Sequence, residues 1–191
     1  MKITLTTTLS ILFLWTVWGY FSSRVEKAEY SVIETAADYE IRSYAEHLEA
    51  QTSVEGPNST AMGSGFRIIA RYIFGGNKNN QSIAMTSPVL ASIEGKDDTL
   101  AFTMPKSFTL QTLPTPNDPR VKIVKVPEKK VAALRFRWYR SDRRISAMRT
   151  QLLASLNRDG VSPKSRPVYA GYNAPWTPFW MTRHEILIEI N

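Results

Sequence analysis

Residues 134–160 read LRFRWYRSDRRISAMRTQLLASLNRDG, and this stretch carries two hydrophobic patterns in succession. Arginines alternate with apolar residues as in a strand that buries one face: Leu134, Phe136 and Trp138. Further along, apolar residues recur at helical spacing: Ile145, Met148, Leu152 and Leu156. Ser141 or Asp142 suits the helix N-cap, and Gly160 follows the end of the helix. The stretch therefore predicts a strand leading into an amphipathic helix.

The same order of elements is predicted twice in the chain. The first unit has strands and a helix over Tyr39–Val54, Thr60–Phe74, Ile83–Ile93 and Thr99–Met104. The second has a hairpin-like pair of strands over Val121–Trp138, a helix over Asp142–Asn157 and strands over Pro167–Tyr172 and Glu185–Ile190, after a proline-rich connector at 113–119. A unit of roughly eighty residues is too long for a solenoid repeat. The pattern therefore predicts one α+β domain in which two βαββ repeats close around a single core.

The amino terminus is a separate element, so we divide the chain into residues 1–23 and a domain at 24–191. Ile3–Phe21 contains no charged residue, and its nineteen positions would span roughly 28 Å as a helix. No small-residue cleavage site precedes Glu29, which favours an uncleaved membrane anchor over a signal peptide. The flanking charges barely decide the orientation, and we favour an exported domain on this anchor.

Composition excludes several kinds of chemistry. The chain has no cysteine, which rules out disulfides, thiolate catalysis and cysteine-bound metal. It has two histidines and no nucleophile or phosphate-binding motif, which argues against an enzyme of familiar design. The net charge of +7 arises mainly in the second unit, but no nucleic-acid motif accompanies it. A solvated basic face, near anionic lipid, is the interpretation we favour over nucleic-acid binding.

The segment 174–184 reads APWTPFWMTRH and joins the last two predicted strands. Two tryptophans, a phenylalanine and a methionine are unusual in a solvated turn. Two interpretations stay open. The loop either closes one end of the sheet or forms a wall for a flat hydrophobic ligand.

Six short segments in the same order resemble the SOUL haem-binding family across residues 30–191: YEIRSY, RYIFGGN, IAMTSPV, FTMP, AGYNAPW and RHEILIEI. The resemblance implies a distorted antiparallel β-barrel flanked by two helices. It also implies noncovalent binding of haem or another tetrapyrrole, without a strong catalytic activity.

The family's haem lies in a groove against the first helix, near the loop before the final strand. Carried onto this chain, the resemblance implies apolar contacts from Met62, Phe66, Ile69, Ile73, Trp176, Phe179, Trp180 and Met181. The basic residues expected at the rim, for the propionates, are Arg71, Lys78 and Arg183.

The proposed axial histidine of some family members is replaced here by Ser43. The alternation around His47 predicts that it faces solvent. His184 stands where the family usually has asparagine, so it is a candidate iron ligand through a neutral imidazole. The alternative role for His184 is a hydrogen bond at a strand start, and Met62 or Met181 would be weak ligands.

Three functions follow from these patterns. A membrane-tethered carrier, buffer or sensor of haem or another tetrapyrrole is the one we favour. The alternatives are an enzyme acting on tetrapyrroles, and an interaction domain that binds another amphipathic ligand or a partner protein.

Overall fold

A computed structural model describes residues 15–16, 25–55, 58–92, 98–174 and 176–191. Its helices are α1, Asn58–Ile73, and α2, Asp142–Arg158. The first strands are β1 Glu26–Lys27, β2 Tyr30–Thr35, β3 Glu40–Tyr44, β4 His47–Ser53, β5 Thr86–Ser87, β6 Val89–Ser92 and β7 Thr99–Thr103. The remaining strands are β8 Lys122–Val126, β9 Lys129–Phe136, β10 Val168–Gly171 and β11 His184–Ile190.

Nine strands form one antiparallel sheet in the order β2-β3-β9-β11-β10-β6-β7-β4-β8. The sheet is curled into a half-barrel, and its end strands β2 and β8 do not pair with each other. The predicted α+β class with an antiparallel sheet and two helices is therefore confirmed. The short strands β1 and β5 pair in parallel outside this sheet.

The strand order relates the two predicted units. The part of the order from β3 to β8 is symmetric. If β3, β4, β6 and β7 are exchanged pairwise with β8, β9, β10 and β11, the same order results, read backwards. The helices follow the same exchange, since α1 contacts β4 and β7 whereas α2 contacts β9 and β11. The repeat itself stays a prediction, because strand order alone does not superpose the two halves.

Both helices cover one face of the sheet and form the main core with it. The most deeply buried members come from both units: Ile69, Tyr72, Leu100, Phe102, Leu152, Leu156, Ile186 and Ile188. Capping residues and glycines mark the ends of the helices. Ser141 Oγ accepts a hydrogen bond from the Arg144 backbone N–H at 3.2 Å, and Gly160 follows α2 with φ +69°. Gly75 follows α1 with φ +101°.

Two predicted strands differ from the structure. Tyr39–Val54 is divided into β3 and β4 by a turn at Ala45 and Glu46. The pair of strands predicted over Val121–Trp138 is confirmed as the hairpin β8 and β9, but its second strand ends at Phe136 instead of Trp138. Trp138 has left the sheet with φ +80° and is 52% exposed, so the aromatic alternation continued past the end of the strand.

No helix among the described residues is long and apolar enough to cross a membrane. The anchor predicted at Ile3–Phe21 lies outside the described residues except for Trp15 and Thr16. It therefore stays a prediction.

Candidate functional site

The loop after β9 and the loop before β11 meet at one end of the sheet. There, the Tyr139 and Phe179 rings stack with centroids 4.5 Å apart and an interplanar angle of 21°. Trp138 and Trp180 lie 5.3 Å and 4.8 Å from the same Phe179 ring. We call these four residues the aromatic cluster. Tyr139 is 66% exposed, so the cluster presents aromatic surface to solvent.

Local backbone geometry brings the two loops together. A 3₁₀ turn at Phe179–Met181 places Phe179 and Trp180 side by side. The Thr182 hydroxyl lies 2.7 Å from the Phe179 carbonyl and 3.1 Å from the Trp138 carbonyl, so it joins both loops. The predicted Trp176 is 57% exposed on the same loop, and Met181 is half-buried.

The four predicted residues of α1 have two different environments. Ile69 and Ile73 are 0% and 1% exposed in the core, where they pack toward the sheet. Met62 and Phe66 are half-buried at the edge of that core. Met62 Sδ lies 3.0 Å from Arg140 Nη1, which connects α1 to the loop of the aromatic cluster. Of these four residues, Met62 and Phe66 are therefore the two that a ligand could contact without rearrangement of the core.

The three predicted rim cations also differ in their positions. Arg71 and Lys78 are exposed at the carboxyl end of α1 and in the turn that follows. Arg183 is half-buried and already engaged, because its Nε donates to Glu185 Oε1 at 2.9 Å and its Nη2 to the Tyr30 hydroxyl at 3.0 Å. The cations nearest in sequence to the exposed aromatic rings are instead Arg137 and Arg140, both exposed.

His184 is 8% exposed, and both of its ring nitrogens have partners. Nε2 lies 3.1 Å from the Trp138 carbonyl, which only accepts, so Nε2 carries the proton. Nδ1 lies 2.7 Å from the Tyr169 hydroxyl and accepts from it when the imidazole is neutral. Burial lowers the pKa of His184, and Arg140 and Arg144 act in the same direction, which favours the neutral ring. Ligation of iron through Nδ1 would require the Tyr169 hydroxyl to leave.

A cavity that the sequence analysis missed lies on the helix-free face of the sheet. Residues of β3, β4, β6, β7, β9, β10 and β11 line it, and its volume is about 210 Å³. Seven adjacent strands would extend about 29 Å if the sheet were flat, so this face must be concave around the cavity. We call it the inner cavity. An outer cleft of about 520 Å³ lies next to it, and Ala28, His47 and Thr103 line both.

The inner cavity corrects the prediction for His47. The alternation along β4 is as expected, but the face that holds His47, Glu49 and Gln51 lines the cavity instead of facing bulk solvent. His47 Nε2 lies 3.1 Å from Glu49 Oε1, and Nδ1 lies 2.8 Å from the Ala45 carbonyl. Because both partners are acceptors, this geometry favours the imidazolium. Burial would lower the pKa of His47, but the hydrogen bonds to Glu49 and Ala45 outweigh it and raise the pKa.

A second network fills the same concave face beside the inner cavity. Glu185 is fully buried, and Arg42 donates to both of its oxygens at 2.7 and 3.1 Å. The Tyr172 hydroxyl donates to Glu185 Oε2 at 2.8 Å. With Arg183 as a further partner, the carboxylate is fully compensated, so this network is structural. Among the described residues, no group of three or more histidine or acidic side chains could hold a metal ion.

Three solved structures share this fold at low sequence identity. The crystal structure of the EcmrR C-terminal domain matches with a TM-score of 0.57 at 11% identity, over 85% of this chain and 98% of that one. The cryo-EM structure of the EcmrR–DNA complex in EcmrR-RPo matches with 0.60 at 10%, over 100% and 70%. A hydrolase encoded by lin2189 from Listeria innocua matches with 0.52 at 11%, over 83% and 94%. At these identities the likeness shows the fold alone.

A search of curated proteins found no match. The family model described as SOUL heme-binding protein, in contrast, matches residues 25–189, which include the sheet, both helices and the aromatic cluster. The chain belongs to the SOUL haem-binding protein family.

Proposed function

We propose that this chain binds haem or a related tetrapyrrole noncovalently on the aromatic cluster. The observation that carries the proposal is the stacked Tyr139–Phe179 pair, whose outer ring is 66% exposed. A porphyrin needs a flat apolar surface of this kind, and burial of the exposed rings would drive binding. Membership of a haem-binding family supports the ligand class.

The charged and sulfur-containing groups beside the cluster suit the periphery of a tetrapyrrole. Arg137 and Arg140 are exposed in the loop that carries Tyr139, where they are placed to pair with propionates. Met62 meets Arg140 from the α1 side and would extend the apolar wall. Phe66 lies behind Met62 against Phe102, with centroids 5.4 Å apart.

Binding through the porphyrin faces does not require an iron ligand. Because both nitrogens of His184 have hydrogen-bond partners, we expect metal-free protoporphyrin to bind within about threefold of haem. Ligation by His184 is a separate proposal that Tyr169→Phe tests, since the substitution frees Nδ1. If His184 ligates, Tyr169→Phe tightens haem binding and leaves protoporphyrin binding unchanged. If it does not, both affinities respond alike, and His184→Ala keeps the haem spectral shift.

The proposal is tested by absorption titration of the full chain with haem. We expect a saturable shift at one haem per chain and a loss of affinity of about tenfold in Tyr139→Asp. Phe74→Asp is the matched control, because Phe74 is also 66% exposed but lies at the far end of α1. Equal losses in both variants, or no saturable binding of either porphyrin, would contradict the proposal. If neither porphyrin binds saturably, the aromatic cluster would instead be a candidate surface for binding a partner protein.

We also propose that Ile3–Phe21 tethers the domain to a membrane, with the domain on the exported side. Trp15, which belongs to the described part of this segment, lies beside the loop that carries the proposed ligand site. The Trp15 ring lies 5.5 Å from Trp180, and its indole N–H donates to the Trp176 carbonyl at 2.9 Å. Fractionation of the full chain tests the tether, and protease added outside intact cells tests the side. Recovery of the full chain in the soluble fraction would refute the tether.

A further inference from the structure

The inner cavity is lined by both apolar and polar side chains. The apolar ones include Leu90, Ala101, Val131 and Leu187. The polar ones include His47, Glu49, Gln51, Thr103 and Lys129. A volume of about 210 Å³ is below that of a drug-sized pocket and far too small for a tetrapyrrole. The cavity therefore suits a small amphipathic molecule.

Thr103 provides a polar group that the protein itself leaves unsatisfied. The residue is 6% exposed, and its hydroxyl has no hydrogen-bond partner within the described part of the chain. Buried hydroxyls without a partner are disfavoured, so they are uncommon in folded proteins. Thr103 lines both the inner cavity and the outer cleft, which places it where a ligand entering from the cleft would pass.

Two acidic and two basic side chains line the inner cavity: Glu49, Glu189, His47 and Lys129. Glu49 is matched by His47 at 3.1 Å, and Glu189 is matched by Lys164 at 2.6 Å. Lys129 also lines the cavity, close enough to act electrostatically on both His47 and Glu49. No ion pair of Lys129 is found among the described residues. Lys129 is therefore the lining charge with which an anionic group of a ligand can pair.

We propose that the inner cavity is a second ligand site, which takes a small amphipathic monocarboxylate. Its carboxylate lies at Lys129 and accepts a hydrogen bond from the Thr103 hydroxyl, and its hydrocarbon part lies against Leu90, Val131 and Leu187. A chain of about six to ten carbons matches the size of the cavity. The outer cleft is the route of entry. This site is separate from the aromatic cluster, since none of the four cluster residues lines either cavity.

The test is calorimetric titration of the full chain with octanoate, and with octan-1-ol and octylammonium as neutral and cationic analogues. We expect saturable binding of one octanoate per chain, with the neutral analogue weaker and the cation weakest. Lys129→Gln should weaken octanoate binding by about tenfold or more, because it removes a charge-assisted hydrogen bond. Thr103→Val, which keeps the shape of the side chain, should weaken it by about threefold to tenfold. Lys130→Gln is the control, because Lys130 is the exposed neighbour in β9 and does not line the cavity.

Three results would overturn the proposal: octylammonium binding as tightly as octanoate, equal effects of Lys129→Gln and Lys130→Gln, or no saturable octanoate binding. Unfolding curves of each variant exclude loss of the fold as the cause. Repeating the titration with the chain saturated by protoporphyrin separates the two sites. Unchanged octanoate affinity supports a distinct site, whereas displacement of one ligand by the other contradicts it.

Discussion

At the scale of single residues, the His47–Glu49 pair makes stability depend on pH. The folded pKa of His47 is raised above its ordinary 6.5, so the imidazolium stabilises the fold fully below pH 6.5 and less as pH rises through the folded pKa. Burial would raise the pKa of Glu49, but His47 and Gln51 outweigh it and lower the pKa below 4.5. The contribution of Glu49 is thus present above pH 4.5 and is lost as pH falls through the lowered value. The His47–Glu49 pair therefore stabilises the fold most between pH 4.5 and pH 6.5.

Replacing His47 by Gln tests this window. We expect a loss of about 1 to 3 kcal/mol in the free energy of unfolding at pH 5.5, because the charge-assisted hydrogen bond to Glu49 is removed. The imidazolium is lost as pH rises through the raised pKa of His47, so the difference between the two proteins should shrink by about 1 kcal/mol at pH 9. Urea unfolding of both proteins at the two pH values measures it. A difference that is the same at both values would show that the imidazolium is not formed in the fold.

At the scale of elements, the helices were the most predictable part of the chain. The predicted Thr60–Phe74 and Asp142–Asn157 compare with Asn58–Ile73 and Asp142–Arg158, because a one-sided apolar stripe and local caps suffice to define a helix. Strand β2 was not predicted. Val32 and Ile33 are adjacent apolar residues and both exposed, so this edge strand lacks the alternation of a half-buried strand.

The packing of α1 against β7 depends on one glycine, which a comparison of two substitutions tests. A Cβ at Gly65 would lie 2.5 Å from Val54 Cγ1 and 3.1 Å from Leu100 Cβ, whereas one at Gly63 would have no neighbour within 4 Å. Gly63→Ala should stabilise the protein by about 0.5–1 kcal/mol through helix propensity. Gly65→Ala should destabilise it by about 1–3 kcal/mol through overpacking. Thermal unfolding measures both, and stabilisation by both would mean that α1 does not pack this closely.

At the scale of the whole molecule, the sequence pattern defines two faces of a strand but not what covers each face. Polar residues alternate with apolar ones along β4 whether their face meets bulk water or a cavity, so His47 was predicted as solvent-facing. Only the curl of the sheet brings seven strands around the inner cavity, and curl arises from long-range pairing. The aromatic loop is recognisable from composition alone, but its partners Trp138 and Tyr139 are not, because the alternation predicts Trp138 as the end of a strand and Tyr139 follows it.

The two units of the chain are joined on the concave face by the buried ion pair of Arg42 and Glu185. Arg42 belongs to β3 and Glu185 to β11, and β9 lies between these strands. The side chains are 2% and 0% exposed, and Glu185→Gln would leave the buried Arg42 and the half-buried Arg183 without their shared carboxylate. Among the described residues, Arg42 would then keep only Glu40 as an acidic partner, 2.8 Å from its guanidinium. We expect a loss of about 3–5 kcal/mol in the free energy of unfolding, since removing one partner of a buried pair leaves a buried charge that the partly exposed Glu40 compensates only in part.

Glu189→Gln in the same strand is the matched control for this prediction. Its carboxylate pairs with Lys164 and its side chain is 26% exposed, so the expected loss stays below about 1 kcal/mol. Urea unfolding of the two variants at neutral pH gives the comparison. Similar small losses would mean that water reaches the Arg42–Glu185 pair, and that the apolar core and the backbone pairing of β3 with β9 and of β6 with β10 suffice to hold the two units together. A large loss confined to Glu185→Gln would identify the pair as the polar link between β3 of the first unit and β11 of the second, and would explain why a fully buried carboxylate occurs in the final strand.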